Sequence, residues 1–292
     1  MPNAIDMQEI ARLNANFLEE YTSGDSIRKY TRQTAGYGIS YLLDHDYGKI
    51  YLTVIEKYVP KSIRSRGIRL WEFGCGGGMN LVHLVSMLER MGIRVDVAIG
   101  TDFSPALIDA ARSDARKYLK PELASKVKFA VAANENLLKE SVKGLGLKEI
   151  DLTGTFDLLL GVNTIRYCHR LKNVGRCVEG IRDLLKDGGV CVNIDMNNRF
   201  PAFRSKLRHT GKKLDENEIL LPTLDEYAQP FAEAGLELIA KKNFCWVPHS
   251  AGRGLTMVMR TLSPVLNVVA RSRGMRSLVI SKKKTAGRSA RS

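Results

Sequence analysis

Leu70-Trp71-Glu72-Phe73-Gly74-Cys75-Gly76-Gly77-Gly78-Met79-Asn80 is the stretch on which the reading of this chain turns. An apolar run ends in an acid, a glycine cluster follows, and a helical pattern through Leu81, Val82, Leu84, Val85 and Leu88 begins at once. Glycines at 74, 76 and 78 let the backbone turn sharply after a strand and approach a ligand where any Cβ would obstruct it. The helix leaving the loop points its N-terminus at the same place and favours an anionic group there. The stretch therefore predicts a strand, a ligand loop and a helix that together hold a small charged ligand.

The spacing narrows the ligand. A dinucleotide fingerprint wants G-x-G-x-x-G, with its last glycine three residues after the second; here Gly78 follows Gly76 by two, and Met79 stands in the next place. An acid, Glu72, also precedes the first glycine by two residues. Further on, Val95-Asp96-Val97-Ala98-Ile99-Gly100-Thr101-Asp102-Phe103-Ser104-Pro105 reads as a second strand ending in Asp102, with Ser104 as N-cap and Pro105 at the first helical position. An acid at the tip of that strand can take both hydroxyls of a ribose.

On Glu72, Gly74, Gly76, Gly78 and Asp102 the chain resembles the class I S-adenosylmethionine-dependent methyltransferases, whose first motif is E-x-G-x-G-x-G and whose second strand ends in a ribose-binding acid. The resemblance implies that the loop, Cys75 included, carries the methionine part of S-adenosyl-L-methionine, that Asp102 holds the ribose and that Phe103 packs near the adenine. It covers residues 66 to 200 well and thins outside them. The third family motif departs: in Ala132-Ala133-Asn134-Glu135-Asn136-Leu137 an alanine stands where an acid is expected, and Asn134 or Glu135 could substitute after a shift of one residue.

The remaining pattern predicts an α/β fold. Val127–Val131, Phe156–Val162 and Val190–Ile194 are further strand-like runs separated by helical patterns, the signature of a parallel sheet. Leu236–Ala240 and Arg276–Ser281 complete seven strands of a doubly wound sheet with helices on both faces. The family adds its last two strands in antiparallel fashion at one edge, and the expectation is a mostly parallel sheet whose last strand is antiparallel. Residues 1–60 read as an N-terminal helical cap, 61–281 as the core with insertions at about 197–222 and 248–275, and 282–292 as a basic disordered tail.

Gly161-Val162-Asn163-Thr164-Ile165-Arg166-Tyr167-Cys168-His169-Arg170 lies at the C-terminal end of the fourth strand, where open α/β sheets bind ligands. The resemblance sets Asn163 beside the methionine part and Tyr167 and His169 on the reaction side. No Asn/Asp-Pro-Pro-aromatic sequence follows, which argues against a flipped nucleic-acid base as acceptor. A sulfonium methyl is already electrophilic, so the protein must place a nucleophile in line and keep water out. An alcohol also needs a base; His169, His45 and His249 are the candidates, with Asp44 and Asp46 beside His45. In the cap, Tyr30 and Tyr37 are candidates for a tyrosine near the cofactor carboxylate, a contribution implied by the resemblance.

Two insertions are expected to determine the substrate. Asn197 to His209 carries several cations and no acid. In the second, Met257, Val258, Leu262, Val265, Leu266 and Val269 recur at helical spacing, a stripe that reads first as core, then as a pocket wall, and last as a membrane-surface helix within 255–276. The net charge is +14, but residues 241–292 hold twelve Lys or Arg and no acid, leaving only +2 for everything before them. A basic end can bind nucleic acid or anionic lipid or simply stay solvated, and this one lacks the interleaved aromatics that stack bases. Cysteines at 75, 168, 177, 191 and 245 show no metal-ligand pairing and fit a reducing compartment, so no metal is expected. With no signal peptide, spanning apolar run or repeat in the sequence, the expectation is a cytoplasmic enzyme that methylates oxygen or nitrogen of a small metabolite, natural product or saccharide intermediate. An RNA methyltransferase and a non-catalytic cofactor-binding protein are the alternatives.

Overall fold

The structure, a computed structural model, describes residues 31, 36–201 and 221–285. A helical segment opens them: α1 (Tyr37–Tyr41), a π-helical stretch Leu42–Tyr47, and α2 (Gly48–Tyr58), with α3 (Lys61–Arg66) leading into the sheet. The core then alternates as read from the sequence: β1 (Ile68–Phe73), α4 (Met79–Arg90), β2 (Val95–Asp102), α5 (Pro105–Tyr118), the short α6 (Pro121–Ala124) and β3 (Val127–Val131). After a 3₁₀ turn at Asn134–Asn136 come α7 (Leu137–Leu145), α8 (Glu149–Leu152), β4 (Phe156–Val162), α9 (Ile165–Arg170), α10 (Val174–Leu184) and β5 (Leu185–Met196). α11 (Leu224–Glu233), β6 (Glu237–Phe244), α12 (Arg253–Val269) and β7 (Arg276–Lys282) close the chain.

The seven strands stand in the order β3-β2-β1-β4-β5-β7-β6. β1 to β5 pair in parallel, and β7 runs antiparallel to both β5 and β6. Only the last strand is therefore reversed; β6 keeps the direction of the parallel set, where the family resemblance suggests reversal of both. β4 is buried along nearly its whole length because both faces are covered, which is why it reads as a continuous apolar run rather than an alternation.

Each face has its own core. One packs Tyr51, Val54 and Ile55 of α2 with Leu81, Leu84 and Leu88 of α4 against Leu70, Leu158 and Val192. The other packs Val178 and Ile181 of α10 and Tyr227 and Phe231 of α11 against Trp71, Phe73, Leu159 and Cys191. The described part of the cap thus shares the first core instead of standing apart as a unit.

Several boundaries move for local reasons. β5 begins at Leu185, directly after α10, and its pairing with β4 breaks between Phe156 and Leu158, where Gly188 takes φ +75°. The basic tail begins later than the sequence suggests. Lys282 closes β7, and Lys283 exchanges backbone hydrogen bonds with Gly188 and Gly189 while its Nζ donates to the carbonyls of Arg182 and Leu185. In α12 the apolar stripe faces outward: Leu255, Met257, Val258, Leu262, Val265, Val268 and Val269 are exposed, and Thr256 is the helix's buried residue. The core reading of that stripe is corrected; periodicity reveals a face but not which side of it is covered. No helix among the described residues is long and apolar enough to cross a membrane.

β1 and β4 pack closely at the sheet centre. Gly161 pairs with Phe73, and a Cβ added to it would stand 2.1 Å from the Phe73 ring. Gly161→Ala is expected to cost about 1–3 kcal/mol, the range for overpacking a core. A urea denaturation midpoint equal to wild type would contradict this packing.

Candidate active site

The C-terminal ends of β1, β2, β4 and β5 meet along one edge of the sheet, with the order reversing between β1 and β4. Gly74, Gly76 and Gly78 carry φ of +62°, +52° and +75°, values that a side chain would strain. Space closes two of these positions as well: a Cβ on Gly74 would come 2.2 Å from Thr164 Oγ1, and one on Gly78 2.9 Å from Ala111 Cβ. The loop is pressed between the start of α9 and α5, and α4 begins directly from it.

Asp102, at the tip of β2, accepts from Gly76 N at 2.9 Å and from Ser104 N at 3.0 Å. Ser104 Oγ in turn accepts from Leu107 N, and Pro105 occupies the first turn, the N-cap expected for α5. Burial raises the Asp102 carboxyl to about 6, with the Ser104 and Gly76 N–H groups working against that rise. Phe103, partly buried, follows it directly.

Glu72 is 2% exposed. Its Oε1 accepts from Asn80 Nδ2 at 2.8 Å, and Asn80 Oδ1 accepts from the Tyr51 hydroxyl at 3.2 Å, so cap, loop and strand form one chain of hydrogen bonds. The other oxygen, Oε2, is buried and makes no hydrogen bond. Burial raises the Glu72 carboxyl to about 8, against the donors Asn80 and Leu81 N–H. Cys75 is buried beside the two acids, and burial pushes its thiol well up.

The third-motif segment closes the far side. Asn134 Nδ2 donates to Thr164 Oγ1 at 2.7 Å, tying the end of β3 to the end of β4. Glu135 is half-buried in the same 3₁₀ turn. The carboxylate that joins this segment is Glu140, which accepts from Ala133 N at 2.7 Å and from Asn136 Nδ2 at 3.1 Å.

The second group of polar side chains lies over β4, β5 and β7. Asn163 sits at φ +58°, and its Oδ1 accepts from Arg276 Nη1 at 2.5 Å. Arg276 Nη2 also contacts His249, whose Nε2 is 3.5 Å from the Tyr47 hydroxyl. Asp195, fully buried, accepts from the N–H groups of Arg166 and Met196, and burial raises its carboxyl despite the Arg166 guanidinium at 3.9 Å. Tyr167 accepts at its hydroxyl from Arg166 Nη2 at 2.6 Å.

The other candidates disperse. His169 lies edge-on to Tyr227 of α11, 5.6 Å between ring centres, and burial lowers its pKa. His45 rests against Tyr41 at 4.6 Å on the cap. Asp44 contacts His83, and burial raises Asp46. Tyr37 is exposed, and Tyr30 lies outside the described residues, as do residues 202–220 of the first insertion. The described start of that insertion is structural: Asn197 Nδ2 donates to the carbonyls of Ser272 and Gly274, bracing the link before β7. Among the described residues no group of three or more His, Cys, Asp or Glu could hold a metal. A cavity of about 340 Å³ lined by Tyr58, Lys186 and Lys282 lies at the opposite end of the sheet, away from the glycine loop.

Sequence reasoning missed Tyr51, Asn80, Thr164, Glu140, Asp195 and Arg276. Asn80 alone had a local signal, an amide in the first turn after the glycine loop.

Residues 71–191 match the family model described as "Methyltransferase domain". No curated protein matches the chain. Among solved structures it is similar to the citrinin polyketide synthase CMeT domain, at TM-score 0.56 and 16% identity over 92% of this chain and 60% of that one. It is also similar to an S-adenosylmethionine-dependent methyltransferase from Mesorhizobium loti, at TM-score 0.51 and 17% identity over 82% of this chain and 100% of the other. A phosphoethanolamine N-methyltransferase 2 from Haemonchus contortus, in complex with S-adenosyl-L-methionine, gives TM-score 0.55 and 13% identity over 92% and 60%. The chain spans 60% of the length of the first and last of these. Residues 71–191 are thus similar to a methyltransferase domain, and Glu72, the three glycines and Asp102 all lie within them.

An acid whose pKa is raised on folding keeps its proton in the folded chain after the unfolded chain has lost it. Glu72, at 4.5 normally and about 8 here, therefore makes the fold lose stability as pH rises through that window. Glu72→Gln removes this contribution. Urea midpoints of the variant should gain on wild type from about pH 5 to pH 8; parallel pH curves would contradict the buried, protonated carboxyl.

Proposed function

We propose that the chain transfers the methyl group of S-adenosyl-L-methionine to an oxygen or nitrogen of a small metabolite, natural product or saccharide intermediate. The observation that carries this reading is the Asp102 carboxylate, held by Gly76 and Ser104 N–H beside a loop of three left-handed glycines.

The crevice residues fit the cofactor. Asp102 would take the ribose hydroxyls, and Phe103 and Asn134 would border the adenine. The positive-φ loop leaves room for the methionine chain. The unpartnered Glu72 Oε2 is a natural acceptor for its ammonium. When bound, S-adenosyl-L-methionine supplies a methyl group already activated by the sulfonium. The chain's own part is then to hold an acceptor in line and exclude water. Of the three histidines considered as a base, His249 is the one grouped with Asn163 at the strand ends, which favours it over His169 and His45 for that role.

Asp102→Ala is expected to weaken S-adenosyl-L-methionine binding by about 1.5–3 kcal/mol, the scale of hydrogen bonds to a charged group, read by calorimetry. Unchanged affinity would remove the ribose assignment. An ammonium docking beside Glu72 should draw its raised pKa down and release a proton near neutral pH. Calorimetry in two buffers of different ionisation enthalpy should detect that proton in wild type and not in Glu72→Gln. Incubation with methyl-labelled cofactor and cell extract tests transfer itself. Label on an oxygen or nitrogen of a small molecule supports the reading, label on RNA favours the RNA alternative, and cofactor binding without any transfer favours a non-catalytic protein.

A further inference from the structure

Arg276 is the first residue of β7. Because that strand runs backwards, its start pairs with Met196 at the end of β5 and reaches the edge where the parallel strands finish. In the strand order, Asp102 on β2 and Arg276 on β7 lie on opposite sides of the β1–β4 pair. The cofactor crevice occupies the β1–β2 side. Arg276 belongs to the other side, where an acceptor has to approach.

Its surroundings are unusual for a guanidinium only 3% exposed. The partners that it reaches are neutral: Asn163 Oδ1 and the His249 ring, with the Tyr47 hydroxyl behind. Arg276 Nε is buried and makes no hydrogen bond. Among the described residues it forms no ion pair, whereas Arg166 nearby has Asp195. Asp195 feels the Arg276 charge from a distance, but its direct contacts are with the Arg166 guanidinium and the backbone N–H groups of Arg166 and Met196. Cys245, Tyr47 and Tyr227 also feel the Arg276 charge, and burial raises the pKa of each, toward the uncharged form; Asp46, hydrogen-bonded to Cys245, is raised by burial as well. A buried guanidinium with no direct ion pair and an unpartnered Nε is costly, and a fold that keeps one has left a place for an anion.

We infer that Arg276, framed by Asn163, His249 and Tyr47, binds an anionic oxygen group on the methyl acceptor, a carboxylate or a phosphate. The guanidinium fork offers two parallel donors to either group, and Nε would be one of them. The inference rests on the crevice being the cofactor site, and it narrows the acceptor to an acidic small molecule.

The test uses the full chain as wild type, Arg276→Met and Arg276→Lys, each saturated with S-adenosylhomocysteine. Melting temperatures are compared in chloride, acetate and inorganic phosphate at equal ionic strength. Wild type should melt higher in acetate or phosphate than in chloride, and the more effective anion identifies the group. The rise should vanish in Arg276→Met and survive in part in Arg276→Lys. S-adenosyl-L-methionine affinity should stay within twofold in all three. An anion effect absent from wild type, or retained in Arg276→Met, overturns the inference. So does a tenfold loss of cofactor affinity in Arg276→Met, which would assign the guanidinium to the cofactor's own carboxylate. Failure of wild type to bind S-adenosyl-L-methionine at all would instead overturn the functional reading.

Discussion

The tie between Asp102 and the two backbone N–H groups of Gly76 and Ser104 is the constraint on which the site depends. It fastens the loop after β1 to the turn after β2, so that two walls of one crevice, built from separate βα units, keep a single spacing. The same tie bears on charge, because its two N–H donors oppose the rise that burial imposes on Asp102. Asp102 and Glu72 are both buried acids raised by desolvation, yet one reaches about 6 and the other about 8. Each acid has two donors, so the difference lies in burial, deeper for Glu72, and in the Asp102 charge beside it, with Glu72 Oε2 left without a hydrogen bond. Near neutral pH the crevice therefore presents one ionised and one protonated carboxyl. A ribose and an ammonium call for that difference, because the first needs an acceptor at once and the second can create its own by displacing a proton.

Across the β1–β4 pair the electrostatics change sign. Asp195 is the buried acid there, against two buried guanidiniums, Arg166 and Arg276. Asn163 links the two sides. Its left-handed backbone, which asparagine tolerates better than most side chains, turns the chain out of β4, and its side chain meets Arg276. A residue that the resemblance gives to the cofactor thus also shapes the acceptor side.

What the sequence made legible was local. The strand, acid and glycine spacing at 70–80, the Ser104 cap with Pro105, and the seven apolar runs all follow from neighbours within a turn or a strand. The Tyr51–Asn80–Glu72 chain joins a helix to a strand 21 residues on and had no periodic signal. Arg276 and Asn163 are 113 residues apart and meet because β7 inserts beside β5 in reverse. Proximity in sequence also misled: His169 follows Asn163 by six residues, but the turn of α9 carries it to Tyr227 on the helix side of the sheet. The stripe in α12 was read correctly as a face and wrongly as core.

Topology explains why several connecting segments start or finish at the ligand edge of the sheet. β5 and β6 both end at the ligand edge, and β7 begins there, so the links after β5 and between β6 and β7 have to leave from or cross that edge whatever their length. The cap reaches the same place from the other end of the sequence. A Cβ on Gly38 would stand 2.6 Å from the Pro248 carbonyl oxygen and 2.7 Å from that of His249, so α1 lies directly on the turn that positions His249. The residues proposed for the cofactor sit on or directly after β1 and β2, where spacing is fixed by the sheet. The residues proposed for the acceptor, Tyr47, His249 and Arg276, come from the cap, a turn and a reversed strand, outside the β1–β2 crevice. A fold divided in this way could keep one cofactor and change its acceptor, and Arg276 lies on the side where the proposed acceptor group would be held.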